Sequence, residues 1–456
     1  MAQAATMPSW LGELDPAAGP RYLQIVGLIE RAVSDGRLRP GDRLPPQRKL
    51  AELLEVDLTT VTRAFGEARE RGLLDAVTGR GSFISTRQEE AGPPLDLSMT
   101  IPPAPKGVRL GEMMERGIAE LLARSNADQL MNYHAGGGSL AERAAGAAWL
   151  APLLGALPPQ RIVVAPGAQT ALTALFQMLA APGDTVLMEP LAYPGQIDAA
   201  RRRSLAIAPV AEDGDGPLPQ ALEEAARRSG ARLFCLTPTL HNPTCRTVPL
   251  GRRQEIAAMA RKLDLTLIED DPYSLLAGDA PPPLAVLAPE RTWHVATLSK
   301  VLTPGLRTAF VVLPDGIEGD GLVAALRAVA LMPAPLMTAL AAHWIRIGAA
   351  QDLLDGVRRE AAERQALARA ILPASMQAHP HALHLWQPLP PHRDRHRLIE
   401  SARQAGLGVM ASDAFATGEQ VPDAIRVALG AVPERARLAE ALRLLAGIIA
   451  GERAPA

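Results

Sequence analysis

The stretch TLSKVLTPGLR, from Thr297 to Arg307, decides how the rest of the sequence is interpreted. It follows a short apolar segment typical of a strand, and its two hydroxyl residues, Thr297 and Ser299, precede Lys300. A lysine can form a Schiff base with an aldehyde cofactor, while hydroxyls and a guanidinium can hold the phosphate of that cofactor. Taken alone, the stretch leaves a second interpretation open, in which Lys300 and Arg307 are surface cations at the end of a strand.

The size and composition of the chain predict two or three domains. Its 456 residues exceed what one hydrophobic core usually organises, and 48% of them are apolar, which suffices for sizeable cores. We expect a cytoplasmic protein without membrane contact, because no apolar run could span a bilayer and MAQAATMPSW lacks the order of a secretory signal. Cys235 and Cys245 lack metal-site spacing and are predicted to be reduced thiols.

From Arg161 onward, short apolar segments alternate with helical ones. This alternation predicts an α/β sheet, largely parallel, in which ligands bind at the carboxyl ends of the strands. At one such end, APGAQTAL leads from a strand into a helix. The backbone N–H groups there, at Ala168 and Gln169, and the Gln169 side chain can receive a phosphate.

Four further residues follow other predicted strands. Tyr193 in EPLAYPG can stack on a flat heteroaromatic ring, and Asp270 in EDDPY can keep a pyridine nitrogen protonated. Asn242 in HNPTC and Tyr273 can share a ring oxygen. Each has a structural explanation too, Tyr193 as a core aromatic, Asn242 as a turn residue and Asp270 as a helix cap. Their joint order favours a cofactor site.

The first ninety residues show the order helix, helix, helix, hairpin. Residues 20–36 have apolar side chains at helical spacing, and a second helix is predicted from Pro46. A third is predicted from Leu58 to Gly72, capped by Asp57. The sequence LLDAVTGRGSFIS then predicts two short strands around a Gly-Arg-Gly turn. This order is typical of a winged helix-turn-helix, whose third helix enters the major groove of double-stranded DNA.

Basic and hydroxyl side chains surround the third predicted helix, as contacts with phosphates and base edges require. From Pro20 to Arg87 the sequence has 12 Lys and Arg residues against 9 Asp and Glu, a small positive excess. Taken singly, each arginine is more simply explained as a solvated surface charge. The predicted DNA-binding residues are Arg43, Arg48, Thr59, Thr60, Arg63 and Arg80.

The same region resembles the DNA-binding domain of the GntR family of bacterial regulators. The resemblance runs from Gly36 to Ser85 and includes GDRLP, the QR-x-LA segment, TTVTRAF and the GRGSF wing. One departure is Leu58, which stands where many members have arginine before the TTV element. This departure affects one expected phosphate or base contact and not the expected fold.

The rest of the chain resembles the fold-type I pyridoxal 5′-phosphate enzymes of the aminotransferase group. The elements PG-x-Q, E-P-x-x-Y, N-P-T, D-x-P-Y and S-K-x-x-x-x-G-L-R occur in that family's order between about Leu95 and Gly451. The resemblance implies that Lys300 is the Schiff-base lysine of a pyridoxal 5′-phosphate cofactor and that Asp270 contacts the pyridine nitrogen. The other cofactor contacts that it implies are Ala168, Gln169, Tyr193, Asn242, Tyr273, Thr297, Ser299 and Arg307.

The resemblance also implies two roles outside the cofactor ring. Tyr133 corresponds to a tyrosine that reaches the phosphate of the neighbouring subunit, so a homodimer is expected. Arg426 in AIRVALG corresponds to the residue that binds the carboxylate of the substrate. Two departures, Cys245 for the usual glycine and Thr297 for the commoner serine, remove no needed donor. We predict no metal site, because the histidines of HPHALHLW fall where the family has an apolar strand.

The predicted organisation is therefore a winged helix-turn-helix domain at residues 15–87, a linker at 88–107 and an aminotransferase-like domain at 108–456. The last comprises a large domain at about 125–315 and a small domain at about 316–456. The linker is placed in a segment rich in proline and acidic residues that lacks sustained periodicity.

A GntR-type head joined to an aminotransferase-like domain resembles the MocR subfamily of transcriptional regulators over almost the whole chain. The resemblance implies a dimeric regulator in which an amino acid or amine effector exchanges with Lys300 at the cofactor and biases DNA binding. The alternative is a working aminotransferase of the 2-aminoadipate or kynurenine type with an appended head. A regulator that has lost its cofactor is a third hypothesis.

Overall fold

The structure is a computed structural model that describes residues 8, 10–12, 14, 19–39, 41–70, 73–77, 81–85, 95–134 and 136–451. The chain divides into two compact units, residues 1–94 and 95–456. Each unit contains its own buried apolar clusters. Among the described helices, none combines the length and the apolar character needed to cross a membrane.

The first unit consists of three helices followed by a hairpin. These elements are α1 (Arg21–Ser34), α2 (Gln47–Leu53), α3 (Leu58–Glu70), β1 (Leu74–Val77) and β2 (Gly81–Ile84). The apolar positions at helical spacing in α1 and α3 point into a common core, where Ile29 and Phe65 are fully buried. This is the winged helix-turn-helix architecture predicted from the sequence.

A seven-stranded sheet organises the second unit. Its strands are, in chain order, β4 (Ile162–Ala165), β5 (Thr185–Met188), β6 (Ala206–Pro209), β9 (Leu233–Leu236), β10 (Thr266–Asp271), β11 (Thr292–Thr297) and β12 (Ala309–Val312). Between β6 and β9 the chain forms a short hairpin of β7 (Glu212–Asp213) and β8 (Gly216–Pro217). The order across the sheet is β4-β12-β11-β10-β9-β5-β6.

All strands of this sheet except β12 point in one direction. Strand β12 lies between β4 and β11 and is antiparallel to both, whereas the other pairings are parallel. The predicted α/β class with a largely parallel sheet is therefore confirmed. The sequence did not predict β12, which follows Arg307 closely and continues the chain back along β11.

Helices of the second unit are amphipathic or buried, and they surround the sheets. They are α4 (Leu110–Arg124), α5 (Ala127–Leu130), α6 (Leu140–Leu154), α7 (Ala168–Leu179), α8 (Pro194–Arg202), α9 (Pro219–Ser229), α10 (Leu250–Lys262), α11 (Ser274–Ala277), α12 (Leu284–Leu287), α13 (Asp320–Ala330), α14 (Pro335–Arg346), α15 (Ala349–Ile371), α16 (Arg395–Gln404) and α17 (Arg435–Ala450). Three short 3-10 turns lie at Pro159–Arg161, Pro304–Leu306 and Ser412–Phe415.

A smaller sheet near the end of the chain has three strands in the order β13-β16-β15. They are β13 (His384–Pro388), β15 (Met410–Ala411) and β16 (Ala424–Ala428). Beside them, β14 (Leu407–Gly408) pairs in parallel with β3 (Leu95–Asp96). The part of the predicted linker that begins at Leu95 is thus structured and belongs to the second unit.

Candidate functional site

The site lies where five parallel strands of the large sheet end. Because β4, β5, β9, β10 and β11 point the same way, the segments that follow them meet at one edge of the sheet. The predicted cofactor residues of these segments are Ala168 and Gln169 after β4, Tyr193 after β5, Asn242 after β9, Asp270 and Tyr273 at the end of β10, and Thr297, Ser299 and Lys300 at the end of β11.

Lys300 lies in the turn after β11 with its amine directed into this edge. Its Nζ donates a hydrogen bond to the backbone carbonyl of Thr100. Burial disfavours the ammonium and the positive charge of Arg426 repels it, so the pKa of Lys300 is lowered to about 8, although Asp270 acts in the opposite direction. A large fraction of the amine is therefore neutral near pH 8, as a nucleophilic lysine requires.

Asp270 is a buried carboxylate held from one side. Oδ2 accepts a hydrogen bond of 2.8 Å from Nε2 of Gln196, while the buried Oδ1 accepts none from any described residue. Burial raises the pKa of Asp270 to about 6, against the opposing hydrogen bond from Gln196. The other oxygen, Oδ1, can therefore accept a hydrogen bond from a donor group of a ligand.

An anion cradle forms at the start of α7. Gly167 has φ of 90°, and a Cβ built on it would lie 2.7 Å from Nη2 of Arg307. Glycine therefore gives Arg307 room to reach the amino end of the helix, where the N–H groups of Ala168 and Gln169 begin the first turn. Arg307 itself has φ of 46°, in the left-handed region. This combination of a guanidinium and a helix terminus suits a phosphate.

The hydroxyl residues of the lysine motif are both buried. Thr297 Oγ1 accepts a hydrogen bond of 3.2 Å from the backbone N–H of Ser299, which holds the turn before Lys300. The hydroxyl of Ser299 is buried and has no hydrogen-bond partner among the described residues. Gln169 instead uses its side chain within the protein, because its Nε2 donates to the carbonyl of Gly195 at 2.8 Å.

Two tyrosines flank the edge. Tyr193 precedes α8 and is half-buried, and its pKa is raised by burial and by the negative charge of Asp270. Tyr273 is almost completely buried, and burial raises its pKa as well. Both phenols therefore stay protonated near neutral pH and can donate hydrogen bonds.

Arg426 reaches the site from β16 of the smaller sheet. Its Nη1 donates to Oδ1 of Asn242 at 3.0 Å, and its Nη2 lies 2.9 Å from the sulfur of Met410. Nη2 also donates to the backbone carbonyl of Ser98. Burial lowers the pKa of Arg426, whose guanidinium links β16 to the segment after β9 through Asn242.

These residues fit pyridoxal 5′-phosphate. The free, buried Oδ1 of Asp270 suits a protonated pyridine nitrogen, and the unpaired hydroxyl of Ser299 suits a phosphate oxygen; neither has a described protein partner. Lys300 provides the amine that the aldehyde of the cofactor requires. The cradle of Gly167 and Arg307 suits the dianionic phosphate.

Several residues of the edge escaped the sequence interpretation. The sequence interpretation places Ser98 and Thr100 in the linker, although the apolar residues of LDLSMTIPP indicate a segment that could join a core. Gln196 lies three positions after Tyr193 at the start of a helix, a spacing that places both near one strand end. For Met410, no local pattern in the sequence points to the site.

Tyr133 is not part of this set within one chain. It is 78% exposed in the segment between α5 and α6. Its backbone N–H is hydrogen-bonded at 2.7 Å to the side chain of the preceding Asn132.

In the first unit, the predicted DNA-binding residues lie around α2, α3 and the hairpin. Thr59, which is exposed, and Thr60, which is half-buried, occupy the first turn of α3. The guanidinium of Arg63 lies 4.0 Å from the centre of the Tyr22 ring, a stacking contact that orients it. Arg48 is exposed on α2. Arg43 is also exposed, and its backbone forms an antiparallel β-bridge with Phe83 of β2. Arg80 lies outside the described residues.

A second contact, not predicted from the sequence, joins α2 to α3. Thr62 Oγ1 donates to Oε1 of Gln47 at 2.9 Å. This hydrogen bond holds the first turn of α2 against the exposed face of α3. The two helices that would meet DNA are thus fixed to each other by polar side chains on that face.

Comparison with protein families gives two matches. Residues 107–445 match the family "Aminotransferase class I and II", and residues 21–84 match "Bacterial regulatory proteins, gntR family". The first match spans most of the chain and all the predicted cofactor residues at the strand ends, but not Ser98 and Thr100. The second spans all three helices and the hairpin of the first unit.

Similar proteins include regulators and an enzyme. The uncharacterized HTH-type transcriptional regulator YdeF of Bacillus subtilis is 28% identical over 96% of this chain and 96% of its own length. The probable rhizopine catabolism regulatory protein MocR of Rhizobium meliloti is 26% identical over 76% of each chain. The α-aminoadipate aminotransferase LysN of Thermus thermophilus, crystallised with N-(5′-phosphopyridoxyl)-L-leucine, is 25% identical with a TM-score of 0.69, covering 86% of this chain and 98% of its own.

Proposed function

Because this chain belongs to the class I and II aminotransferase family and carries a gntR-type DNA-binding domain, we propose that it is a transcriptional regulator that senses an amino acid or amine through pyridoxal 5′-phosphate. The observation that carries the proposal is the presence, on one chain, of this domain and a buried lysine site with Asp270 and Arg426. The relative YdeF, which aligns over 96% of this chain, is named as an HTH-type transcriptional regulator, and the relative MocR is named as a probable regulatory protein. Action on DNA implies a cytoplasmic location.

The second unit would hold the cofactor with residues from separate strands. Lys300 would attach it, Asp270 would contact the ring nitrogen, and Arg307 would neutralise its phosphate. Asn242 and Tyr273 would donate to the ring oxygen, and Tyr193 would stack on the ring. The remaining phosphate contacts would come from Ala168, Gln169, Thr297 and Ser299. When bound, pyridoxal 5′-phosphate supplies an aldehyde that amines can attack and a ring that withdraws electrons.

Arg426 would bind the carboxylate of an amino acid effector. In the structure its Nη2 donates to the carbonyl of Ser98, and Lys300 donates to the carbonyl of Thr100. An effector carboxylate therefore competes with a backbone carbonyl for the same guanidinium. Binding at this edge would release two of the polar contacts of the segment Leu97–Ile101, those of Ser98 and Thr100.

The segment Leu97–Ile101 is well placed to transmit this change. Strand β3 ties its start to β14, and the carbonyl of Leu97 accepts a hydrogen bond of 2.7 Å from the N–H of Ala428 in β16. In the sequence, this segment follows the DNA-binding unit. A shift of the segment would be the proposed link between effector binding and DNA binding.

A homodimer would complete the arrangement. Tyr133 is largely exposed in one chain, and the family resemblance implies that it contacts the phosphate in the partner subunit. A dimer also pairs two DNA-binding units, which suits repeated half-sites. Light scattering of the purified protein tests the dimer, and a monomer at micromolar concentration would contradict it.

A second candidate function, transamination, is favoured by the complete set of polar residues at the strand ends. The pKa of Lys300, lowered to about 8, suits a nucleophile. The similar protein LysN is an aminotransferase. Turnover of 2-aminoadipate or kynurenine with a 2-oxo acid, measured as product formation over many cycles, would favour this candidate. A single stoichiometric reaction without turnover would favour the sensor.

The decisive experiment is footprinting of the DNA upstream of the gene with the cofactor-loaded protein and a panel of amino acids and amines. The proposal expects a protected site whose affinity changes with one effector class. It also expects this response to disappear in Lys300→Ala while DNA binding itself is retained. Absence of a protected site, or a response that is unchanged in Lys300→Ala, would overturn the proposal.

A further inference from the structure

We infer that Gln196 is a positioning residue of the cofactor site, which fixes the orientation of Asp270 and keeps its carboxylate charged. The inference rests on the cofactor part of the proposed function. No motif marks Gln196, and it lies outside the set of residues that the sequence assigned to the cofactor. Its contacts, however, lead directly to the carboxylate on which the ring nitrogen would depend.

The side chain of Gln196 is fully buried in the first turn of α8. Its Nε2 donates to Oδ2 of Asp270 at 2.8 Å and to Oγ1 of Thr237 at 3.0 Å. The two acceptors lie at the ends of neighbouring strands, because Thr237 comes directly after β9 and Asp270 lies near the end of β10. The amide is therefore fixed from two strands and cannot rotate without losing both hydrogen bonds.

This geometry assigns different tasks to the two carboxylate oxygens. Oδ2 is occupied by Gln196, whereas Oδ1 is buried and accepts no hydrogen bond from the described residues. A free carboxylate could rotate about its last torsion and present either oxygen. With Gln196 in place, Oδ1 is the oxygen left for a ring nitrogen.

The charge of Asp270 depends on the same donor. Burial raises its pKa to about 6, and the hydrogen bond from Gln196 is the largest effect in the opposite direction. The negative charge of Asp271 adds to the rise, while His294 and Lys300 oppose it. The titratable and charged groups that face Asp270 are Asp271 on its own strand, His294 on β11, Lys300, Tyr193, Tyr273 and Cys235.

Removal of the Gln196 amide should therefore raise the pKa of Asp270. Without Gln196, burial and Asp271 act on Asp270 with less opposition, and a larger share of the carboxyl becomes protonated near neutral pH. A protonated Asp270 cannot hold a proton on a pyridine nitrogen. A merely structural glutamine would change the stability of the protein and leave this titration where it was.

Infrared spectroscopy of the cofactor-free protein tests this directly. The carbonyl stretch of protonated Asp270, identified by its loss in Asp270→Asn, should titrate with a midpoint near pH 6. Gln196→Leu should raise the midpoint by about one pH unit or more, which corresponds to a change of about tenfold in proton affinity. Gln196→Glu should raise it further, because two buried carboxyl groups at hydrogen-bond distance share a proton.

Gln387→Leu is a matched control. Gln387 is also fully buried, but it lies on β13 and donates to Ser375 Oγ at 2.9 Å and to the carbonyl of Pro388. This variant should lose stability without moving the midpoint of Asp270. Circular dichroism at each pH confirms that the compared proteins are folded.

Binding of pyridoxal 5′-phosphate, compared at pH 7.5 and pH 6, gives a second readout. If the midpoint of Asp270 rises by about one unit, its charged fraction falls by about 1.3-fold at pH 7.5 and by about fivefold at pH 6, and the affinity of Gln196→Leu for the cofactor should fall in proportion. An unchanged Asp270 midpoint in both Gln196 variants would overturn the inference. Failure of the unaltered protein to bind the cofactor would instead overturn the proposed function, while the carboxyl titration would still be measurable.

Discussion

Arg426 and Asn242 are joined by a hydrogen bond of 3.0 Å from Nη1 to Oδ1, across 184 positions of sequence. Because Oδ1 of Asn242 is the acceptor, its Nδ2 group is left to donate toward a ring oxygen. The residue expected to bind an effector carboxylate is thus bonded to a residue expected to contact the cofactor. A carboxylate that engages Arg426 would therefore act on the ring contact as well as on the segment that begins at Leu97.

Replacement of Arg426 by glutamine should separate cofactor binding from effector recognition. The variant loses the charge-assisted hydrogen bonds of the guanidinium, and amino acid effectors should bind roughly 10- to 100-fold more weakly. Cofactor uptake should change by only a few-fold, because Lys300, Asp270 and Arg307 are intact. Fluorescence anisotropy of labelled operator DNA, titrated with effector, measures the first effect.

Arg395→Gln provides the control for that substitution. Arg395 lies on α16 and pairs with Asp413 and Asp423 at the surface of the same small sheet. Its replacement should leave the effector response in place. Equal losses in the Arg426 and Arg395 variants would assign the effect to general destabilisation.

The reactivity of Lys300 should follow a lowered pKa. In the cofactor-free protein, acylation of Lys300 should rise with pH through a midpoint of about 8. Arg426→Gln should raise this midpoint, because a repelling positive charge is removed, and Asp270→Asn should lower it, because an attracting negative charge is removed. Mass spectrometry of the labelled peptide measures the rate, with the exposed Lys262 as an internal reference. A midpoint near 10.5, the ordinary value for lysine, would contradict the prediction.

Asp270→Asn should stabilise the cofactor-free protein at neutral pH. The pKa of Asp270 is raised from 3.8 to about 6 in the folded state, so the unfolded chain releases this proton first. The free energy of unfolding is lowered by this difference, fully above pH 6 and not at all below pH 3.8, and by at most about 3 kcal/mol. Urea unfolding at pH 7.5 should show most of this gain in the variant, and unfolding at pH 5 about half of it.

Glu269 lies on the same strand and serves as a control, because its pKa is shifted in the opposite direction from that of Asp270. It accepts hydrogen bonds from the N–H groups of Leu284 and Ala285 and pairs with His294, and these contacts hold its pKa below the usual value despite its burial. Glu269→Gln should therefore destabilise the protein at neutral pH. A loss of stability in both variants would show that burial does not strain Asp270.

The sequence predicted those parts of the fold and site that rest on local patterns. The alternation of apolar and helical segments predicted the strands that contain Asp270 and Thr297, and helical spacing predicted the three helices of the first unit. Strand β12 was not predicted, because it is a buried strand of four residues and only a short turn, with no α-helix, separates it from β11. Gln196 was missed for a different reason, since its acceptors Thr237 and Asp270 lie 41 and 74 positions later in the sequence and meet its amide only in the folded chain.

The segment Leu97–Ile101 illustrates a third limit. Prolines flank the segment on both sides, so its composition resembles that of a linker. Backbone hydrogen bonds to residues more than 300 positions later, such as Gly408 and Ala428, hold it in place. Backbone carbonyls, which carry no sequence signal, make its contacts with Lys300 and Arg426. Contacts of this kind are specified by the fold as a whole.

Arg48→Ala in α2 should weaken DNA binding at every sequence tested. An exposed arginine that contacts phosphate contributes affinity without reading bases, so its loss should also reduce the salt dependence of binding by about one counterion. Arg69→Ala is the control, because Arg69 lies at the other end of α3 from Thr59, about 15 Å along the helix axis. Anisotropy titrations at several salt concentrations measure both. An unchanged salt slope in Arg48→Ala would contradict this docking of α2.

Gly430→Ala should uncouple effector binding from DNA binding without touching the residues that bind the effector. A Cβ on Gly430 would lie 1.8 Å from the carbonyl oxygen of Ile101, so the segment Leu97–Ile101 must move. We expect a loss of roughly 1–3 kcal/mol in stability from this overpacking. Hydrogen exchange of the segment should become faster, and the effector should no longer alter DNA affinity.

Gly251→Ala is the matched control for this substitution. Gly251 lies in α10, and a Cβ there meets no atom within 4 Å, so alanine should be tolerated or slightly stabilising. It should leave both hydrogen exchange and the effector response unchanged. If Gly430→Ala accelerates exchange of the segment and yet DNA affinity still responds to effector as before, the segment does not transmit the signal.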